Sequence, residues 1–119
     1  MAEASSAIDR EAIATLLEMV GDDREFLGEL IDTFLADTPD QLAQMRSAAT
    51  MGDAAELVRP AHTLKTNSRN LGAQRLAEIC LALELDARRG EVSGAHERIA
   101  EAEAAFDAAR AELLAIRDE

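Results

Sequence analysis

Aromatic residues, glycine and proline are scarce in this chain, and tryptophan and tyrosine are absent. Aromatics make up 3% of the 119 residues, whereas hydrophobic residues as a whole make up 48%. The apolar side chains are therefore mainly those of Ala and Leu, which are strong helix formers. Six glycines and two prolines allow few turns, which argues against a β-sandwich and favours packed helices.

Positive charge is scarce as well. Twelve basic residues stand against twenty-four acidic ones, which gives a formal net charge of −12. Such a chain repels nucleic acid and anionic membranes unless it carries a strong local basic patch. We therefore expect neither nucleic acid nor a membrane among its partners.

The chain also lacks the features of an exported or membrane-spanning protein. Its single cysteine, Cys80, excludes an internal disulfide and fits a reducing compartment. The first residues lack the basic and apolar segments of a signal peptide. No apolar run approaches the roughly 20 residues that span a bilayer. We expect a cytoplasmic protein.

Capping residues and glycines indicate one domain of successive helices. We expect a flexible tail over residues 1–7 and a single helical domain over residues 8–119. Six expected helix starts lie at or just after Asp9, Asp22, Thr38, Asp53, Ala73 and Ser93. Four glycines are the expected helix stops: Gly21, Gly52, Gly72 and Gly90. The segment Thr38-Pro39 leaves two alternatives open, a new helix and a kink within a longer one.

The last expected helix carries the pattern of a bundle helix. Its apolar residues are spaced by 3, 4, 3, 4 and 3 positions: Ile99, Ala102, Phe106, Ala109, Leu113 and Ile116. This spacing is typical of a helix buried along one stripe. Short connections favour antiparallel neighbours. The predicted fold class is all-α, an antiparallel four-helix bundle with one or two additional N-terminal helices.

One histidine lies outside the apolar stripe of its helix. Between Asp53 and Gly72 the stripe consists of Leu57, Val58, Ala61, Leu64, Ser68 and Leu71. At about 100° per residue, His62 points about 120° away from the centre of that stripe. His62 is therefore expected on the outer surface in mid-helix, where packing does not require an imidazole.

Cations surround this histidine in an otherwise acidic chain. They occupy positions i−3, i+3 and i+7 relative to His62: Arg59, Lys65 and Arg69. Positive neighbours favour the neutral, nucleophilic imidazole and would stabilise an arriving phosphoryl group. The alternative is an ordinary solvated face that pairs with Glu56 and other acids. Helix geometry by itself leaves both interpretations open.

The segment from His62 to Gly72, His-Thr-Leu-Lys-Thr-Asn-Ser-Arg-Asn-Leu-Gly, resembles the signature of histidine-containing phosphotransfer (HPt) domains. That signature is a phosphorylatable histidine, an apolar residue, a lysine, then small residues and a Leu-Gly about ten positions on. The segment Gln74-Arg75-Leu76-Ala77, Cys80 and Leu83-Glu84 are also similar to the family. The resemblance covers roughly residues 9–89.

The resemblance implies a role for each residue of the site. His62 would be the phosphoacceptor, through its Nε2 atom, and Lys65 would neutralise phosphate oxygens. Glu84, on the next helix, would lean toward the histidine and orient it. Arg59 and Arg69 would add positive potential or meet the acidic rim of a partner.

Thr66 departs from the family pattern. The family usually has glycine directly after the lysine, which leaves the surface beside the histidine bare. Threonine narrows this approach, and its hydroxyl could bond the phosphate or its own backbone. We expect Thr66 to alter partner preference or rate rather than to abolish function.

The resemblance implies a phosphorelay carrier rather than an enzyme. The sequence has no glycine-rich phosphate loop and no Walker lysine, so we expect no kinase activity and no cofactor of its own. The expected partners are response-regulator receiver domains, which would supply Mg²⁺, and possibly a histidine kinase. We expect a monomer. The alternatives are a bundle that binds receivers without phosphorylation and an excised substrate domain of a hybrid histidine kinase.

The remaining candidate residues are expected to be structural. His96 and Cys80 match no zinc spacing, and we expect a solvated histidine and a core cysteine. Leu81 and Leu85 are expected to pack under the N-terminal helix, with a partner-docking patch as the alternative. Three methionines are expected to fill the core or its boundary: Met19, Met45 and Met51.

Overall fold

The computed structural model describes residues 7–119, and over that range the chain forms helices and turns without a strand. Five helices follow one another: α1 (Arg10–Met19), α2 (Arg24–Thr50), α3 (Ala54–Asn70), α4 (Gln74–Arg88) and α5 (Ala95–Arg117). The predicted tail over residues 1–7 lies outside the described residues except for Ala7, which packs against the core. No helix within the described range is long and apolar enough to cross a membrane.

Helices α2 to α5 form the bundle. Helix α3 contacts α2 and α4, and α5 contacts the same two helices from the other side, so the four enclose one core. Because short turns join successive helices that pack together, neighbours run antiparallel. All six residues of the predicted α5 stripe are buried. The predicted fold class is confirmed, with α1 as one additional N-terminal helix.

Helix α2 starts one residue later than the sequence indicated. Its N-cap is Asp23, whose carboxylate accepts a hydrogen bond from the backbone N–H of Phe26 at 3.0 Å. Asp22, the predicted cap, has φ +61° and follows Gly21 at φ +70°. The chain therefore turns through two left-handed residues before the helix begins, and the second of two adjacent aspartates becomes the cap.

Of the two alternatives for Thr38-Pro39, the new helix is wrong and the longer helix is confirmed, because α2 continues through Pro39. Thr38 is fully buried, and its hydroxyl donates to the carbonyl oxygen of Phe34 at 2.7 Å, one turn earlier in the same helix. Pro39 lies on the exposed side. The packing of Thr38 and its neighbours into the core thus outweighs the backbone hydrogen bond that proline cannot donate.

The turn between α3 and α4 is tied to the start of α1. Gly72 has φ +79°, and its carbonyl oxygen accepts a hydrogen bond from the backbone N–H of Asp9 at 2.8 Å. A Cβ atom on Gly72 would lie 2.6 Å from the carbonyl oxygen of Asp9. Only glycine therefore fits this close approach, which fixes the α3–α4 hairpin against α1.

Two further expectations are wrong. Within the described residues α1 contacts α2 and α3 but not α4, so Leu81 and Leu85 do not pack beneath it, and Leu85 is 47% exposed. Met19 and Met51 are among the most exposed apolar side chains, at 77% and 75%. Met45 is fully buried, as predicted.

Candidate functional site

Helix α3 presents His62 to solvent. The helix begins at its N-cap Asp53, whose carboxylate accepts a hydrogen bond from the backbone N–H of Glu56 at 3.1 Å. Five residues of the predicted inward stripe are buried and Val58 is half-buried; the buried ones are Leu57, Ala61, Leu64, Ser68 and Leu71. The His62 side chain is 53% exposed on the opposite side. The imidazole is thus reachable from outside the bundle, and Thr66, exposed one turn further on, does not enclose it.

Glu84 on α4 holds one edge of this imidazole. Its side chain lies in the contact between α3 and α4 and is 4% exposed. The carboxylate oxygen Oε2 lies 3.0 Å from Nδ1 of His62. A charged residue at such a buried position requires partners of opposite charge, because desolvation disfavours the ionised form.

Two cations supply that compensation. Lys65 Nζ lies 2.7 Å from Oε1 of Glu84, and its side chain is 14% exposed. Arg88, one turn after Glu84, donates to Oε2 from Nη2 at 2.7 Å and from Nε at 3.0 Å. Burial by itself raises the pKa of Glu84, but the ion pair with Lys65 and the hydrogen bonds with Arg88 and His62 prevail and lower it to about 2. Glu84 is therefore ionised at neutral pH.

The charge of Glu84 decides which imidazole nitrogen of His62 carries the proton. A carboxylate only accepts hydrogen bonds, so Nδ1 of His62 must carry the proton that it shares with Glu84. In the neutral ring Nε2 then holds the lone pair. Since Glu84 lies at the Nδ1 edge, the basic nitrogen of the neutral ring is at the opposite edge of a side chain that is half exposed.

Two arginines extend the positive face along α3. Arg59 and Arg69 are exposed, and neither forms an ion pair within residues 7–119. Arg69 lies two helical turns beyond His62, about 10 Å along the same face. Within residues 7–119, Lys65 pairs with Glu84, and Arg59 and Arg69 form no ion pair. Glu56 therefore does not neutralise these three cations.

An apolar groove begins where this positive face ends. It has a volume of about 540 Å³ and lies between α1, α2 and the C-terminal end of α3. Met19, 77% exposed, lies on its α1 side, and Arg69 lies on its α3 side. The positive face of α3 and the groove therefore share Arg69 and form one continuous surface.

Comparison with known proteins identifies the family. The family model of the Hpt domain matches residues 29–112, which include His62, Lys65 and Glu84. The chain belongs to the Hpt domain family. It is 34% identical to histidine-containing phosphotransfer protein B (HptB) from Pseudomonas aeruginosa PAO1, with a TM-score of 0.86 and 96% of each chain covered.

A second Hpt structure agrees in fold. The HPT domain from the Hpt Sensor Hybrid Histidine Kinase from Shewanella is 16% identical, with a TM-score of 0.71, 87% of this chain covered and 89% of that one. No curated protein matches the chain. The family match over residues 29–112 gives this Hpt domain a phosphotransfer role in a phosphorelay. Hpt domains are phosphocarriers, and their partners are receivers or kinases.

Sequence reasoning missed one residue of this Hpt site. Arg88 holds Glu84 as firmly as Lys65 does, yet it was not among the predicted site residues. Its signal was the spacing of an acid and a base four positions apart on one helix, which places their side chains together. That spacing is common on solvated helices, so it indicates a site residue only where the acid is buried, as Glu84 is.

The remaining titratable candidates lie outside the site. Cys80 is fully buried in the core, and burial raises the pKa of its thiol to about 12, which leaves it unreactive. His96 is exposed, with Nδ1 3.3 Å from Nη1 of Arg46. Over residues 7–119 no group of histidine, cysteine and acidic side chains is arranged to hold a metal ion.

Proposed function

We propose that His62 is the residue of this Hpt domain that accepts and donates the phosphoryl group. The observation that carries the proposal is the pairing of a buried, ionised Glu84 with Nδ1, at 3.0 Å, in a ring whose other edge is open. This arrangement gives an exposed nitrogen nucleophile of defined tautomer.

The transfer needs no cofactor bound by this chain. The lone pair of Nε2 attacks the phosphorus of an aspartyl phosphate on a receiver domain. The new N–P bond forms as the P–O bond to the aspartate breaks, and the bonding electrons return to the aspartate carboxylate. The imidazole keeps its proton on Nδ1 and gains positive charge, which the neighbouring Glu84 carboxylate stabilises. The reverse sequence passes the group to a second receiver.

Positive charge on α3 stabilises the phosphoryl group in this scheme. Lys65 neutralises phosphate oxygens, and Arg59 and Arg69 add a positive potential to a protein of net charge −12. The receiver contributes the Mg²⁺ and most of the catalysis of its own aspartyl phosphate. The Hpt domain acts as a carrier without kinase activity.

We propose that the receiver covers His62 and reaches the apolar groove beyond Arg69. The groove adjoins the positive face of α3 at Arg69, which forms no ion pair within the part of the chain that the structure describes. A partner that places an acidic side chain on Arg69 and an apolar one beside Met19 would use both features. Such a surface fits a modest, transient interface. We further propose a cytoplasmic monomer that binds neither nucleic acid nor membranes.

The transfer reaction tests the assignment of His62. The protein is incubated with phosphorylated receiver domains from the same genome, and acid-labile phosphate on it is measured over time. We expect His62→Gln to abolish labelling and His96→Gln, the matched change at the other histidine, to leave it unchanged. Labelling of His62→Gln at the wild-type rate would refute the assignment. Receiver binding that persists in His62→Ala, without any phosphoprotein in the wild type, would instead support a binding module.

A further inference from the structure

The acceptor contacts of Glu84 are unequally divided between its two oxygens. Oε1 faces Lys65 alone, at 2.7 Å. Oε2 accepts from Arg88 through Nη2 at 2.7 Å and Nε at 3.0 Å, and it also faces Nδ1 of His62 at 3.0 Å. The same oxygen thus joins the arginine to the imidazole, while the lysine holds the opposite oxygen.

We propose that Arg88 is a positioning residue of the transfer reaction: it fixes Glu84 Oε2 against His62 Nδ1 and keeps Glu84 compensated when Lys65 turns to the phosphoryl group. This inference rests on the proposed role of His62. Arg88 acts through Glu84, since its guanidinium contacts the carboxylate and not the ring.

The need for a second cation follows from the placement of Lys65. In this structure its ammonium group is engaged by Glu84. If Lys65 were the sole counterion of Glu84, movement of its ammonium group to the phosphate would leave the Glu84 carboxylate without a counterion. Glu84 is only 4% exposed. Breaking a buried ion pair in that way is strongly unfavourable. With Arg88 in place, Lys65 can leave or share its contact while Glu84 stays ionised and aligned.

The geometry of Arg88 suits this task. Two donors of one planar guanidinium converge on Oε2, which fixes the position of that oxygen more closely than a single ammonium contact would. Arg88 is four residues after Glu84 on α4, and its side chain is 54% exposed. A substitution of Arg88 therefore removes its two hydrogen bonds to Glu84 without disturbing the packing of the core.

The matched control is the next residue. Arg89 is also exposed, and its Nη2 lies 2.6 Å from Oδ1 of Asp86, away from the His62 site. Arg88→Gln and Arg89→Gln therefore remove the same charge and one ion pair from neighbouring positions. Arg88→Lys keeps the charge but not the two-donor geometry.

The first measurement needs no phosphoryl donor. Nitrogen-15 NMR at about pH 9, where an imidazole is neutral, reports which ring nitrogen of His62 carries the proton. We expect the Nδ1–H form in the wild type and Arg89→Gln, a mixture of both tautomers in Arg88→Gln, and partial recovery in Arg88→Lys. An unchanged Nδ1–H form in Arg88→Gln would overturn the positioning role.

The second measurement follows transfer from a phosphorylated receiver. We expect acceptance to be about tenfold slower or more in Arg88→Gln, because the variant loses both charged hydrogen bonds to Glu84 and one alone is worth about tenfold. We expect the wild-type rate in Arg89→Gln. Equal rates in both variants would overturn the inference. A wild-type protein that takes no phosphate would refute the proposed function instead, and the NMR result would still decide whether Arg88 positions Glu84.

Discussion

We expect the unfolding free energy of this protein to fall in acid chiefly because the Glu84 carboxylate becomes protonated. The pKa of Glu84 is lowered from an ordinary value of 4.5 to about 2. A carboxylate with a lowered folded-state pKa stabilises the fold fully above its unfolded pKa and loses that contribution as the pH falls toward the folded value. The difference amounts to about 3 kcal/mol at neutral pH, of which about 2 kcal/mol is lost between pH 6 and pH 3.

Glu84→Gln tests this value. The free energy of unfolding is measured from urea transitions followed by circular dichroism at several values of pH between 6 and 3. Other carboxylates titrate equally in both proteins, so the difference between wild type and variant isolates Glu84. We expect that difference to shrink by about 2 kcal/mol as the pH falls.

The control is Glu103→Gln, which removes an exposed ion pair with Arg46. We expect it to change stability by less than about 1 kcal/mol. A difference between wild type and Glu84→Gln that stays constant from pH 6 to pH 3 would refute the reasoning. In that case Glu84 would not be held ionised by Lys65, Arg88 and His62.

Three further predictions concern docking, metal and the α3–α4 turn. Met19→Glu should weaken receiver binding about tenfold or more, because it places a charge in the apolar groove. Ala108→Glu, which adds the same charge at an exposed position of α5, should not weaken it. Equal binding of both variants in titration calorimetry would exclude the groove from the receiver interface. EDTA should stop transfer from a receiver, because the receiver needs Mg²⁺, but should not stop labelling of this protein by phosphoramidate. Loss of both reactions would show that this protein itself needs a metal, contrary to the proposal. Gly72→Ala should lower the unfolding free energy by about 3 kcal/mol or more, and Gly90→Ala by about 1 kcal/mol. Both glycines have positive φ, but only at Gly72 would the added Cβ meet a backbone oxygen, that of Asp9. Equal losses in urea denaturation would contradict this close contact.

Much of the fold followed from periodicity. The 3-4 spacing in α5 identified its buried stripe, and the stripe of α3 placed His62 outside the core, because side-chain direction in a regular helix depends only on residue spacing. Prediction failed where two local signals competed. Adjacent aspartates did not reveal which one caps α2, and Thr38-Pro39 has the composition of a helix start although packing carries the helix through it.

The site was predictable within one helix but not between helices. Arg59, Lys65 and Arg69 could be placed around His62 by counting residues along α3. The depth of Glu84 in the α3–α4 contact, and hence its need for both Lys65 and Arg88, depends on how closely two helices approach. No sequence spacing reports that distance. The resemblance to a family indicated Glu84, whereas Arg88 emerged only from the coordinates.

The most direct test of the account is the position of the phosphorus atom. The protein is labelled uniformly with nitrogen-15, phosphorylated by a receiver, and examined for coupling between phosphorus-31 and the ring nitrogens of His62. We expect coupling to Nε2, with the proton retained on Nδ1 beside Glu84. Phosphorus on Nδ1 of His62, or on His96 or any other residue, would contradict it.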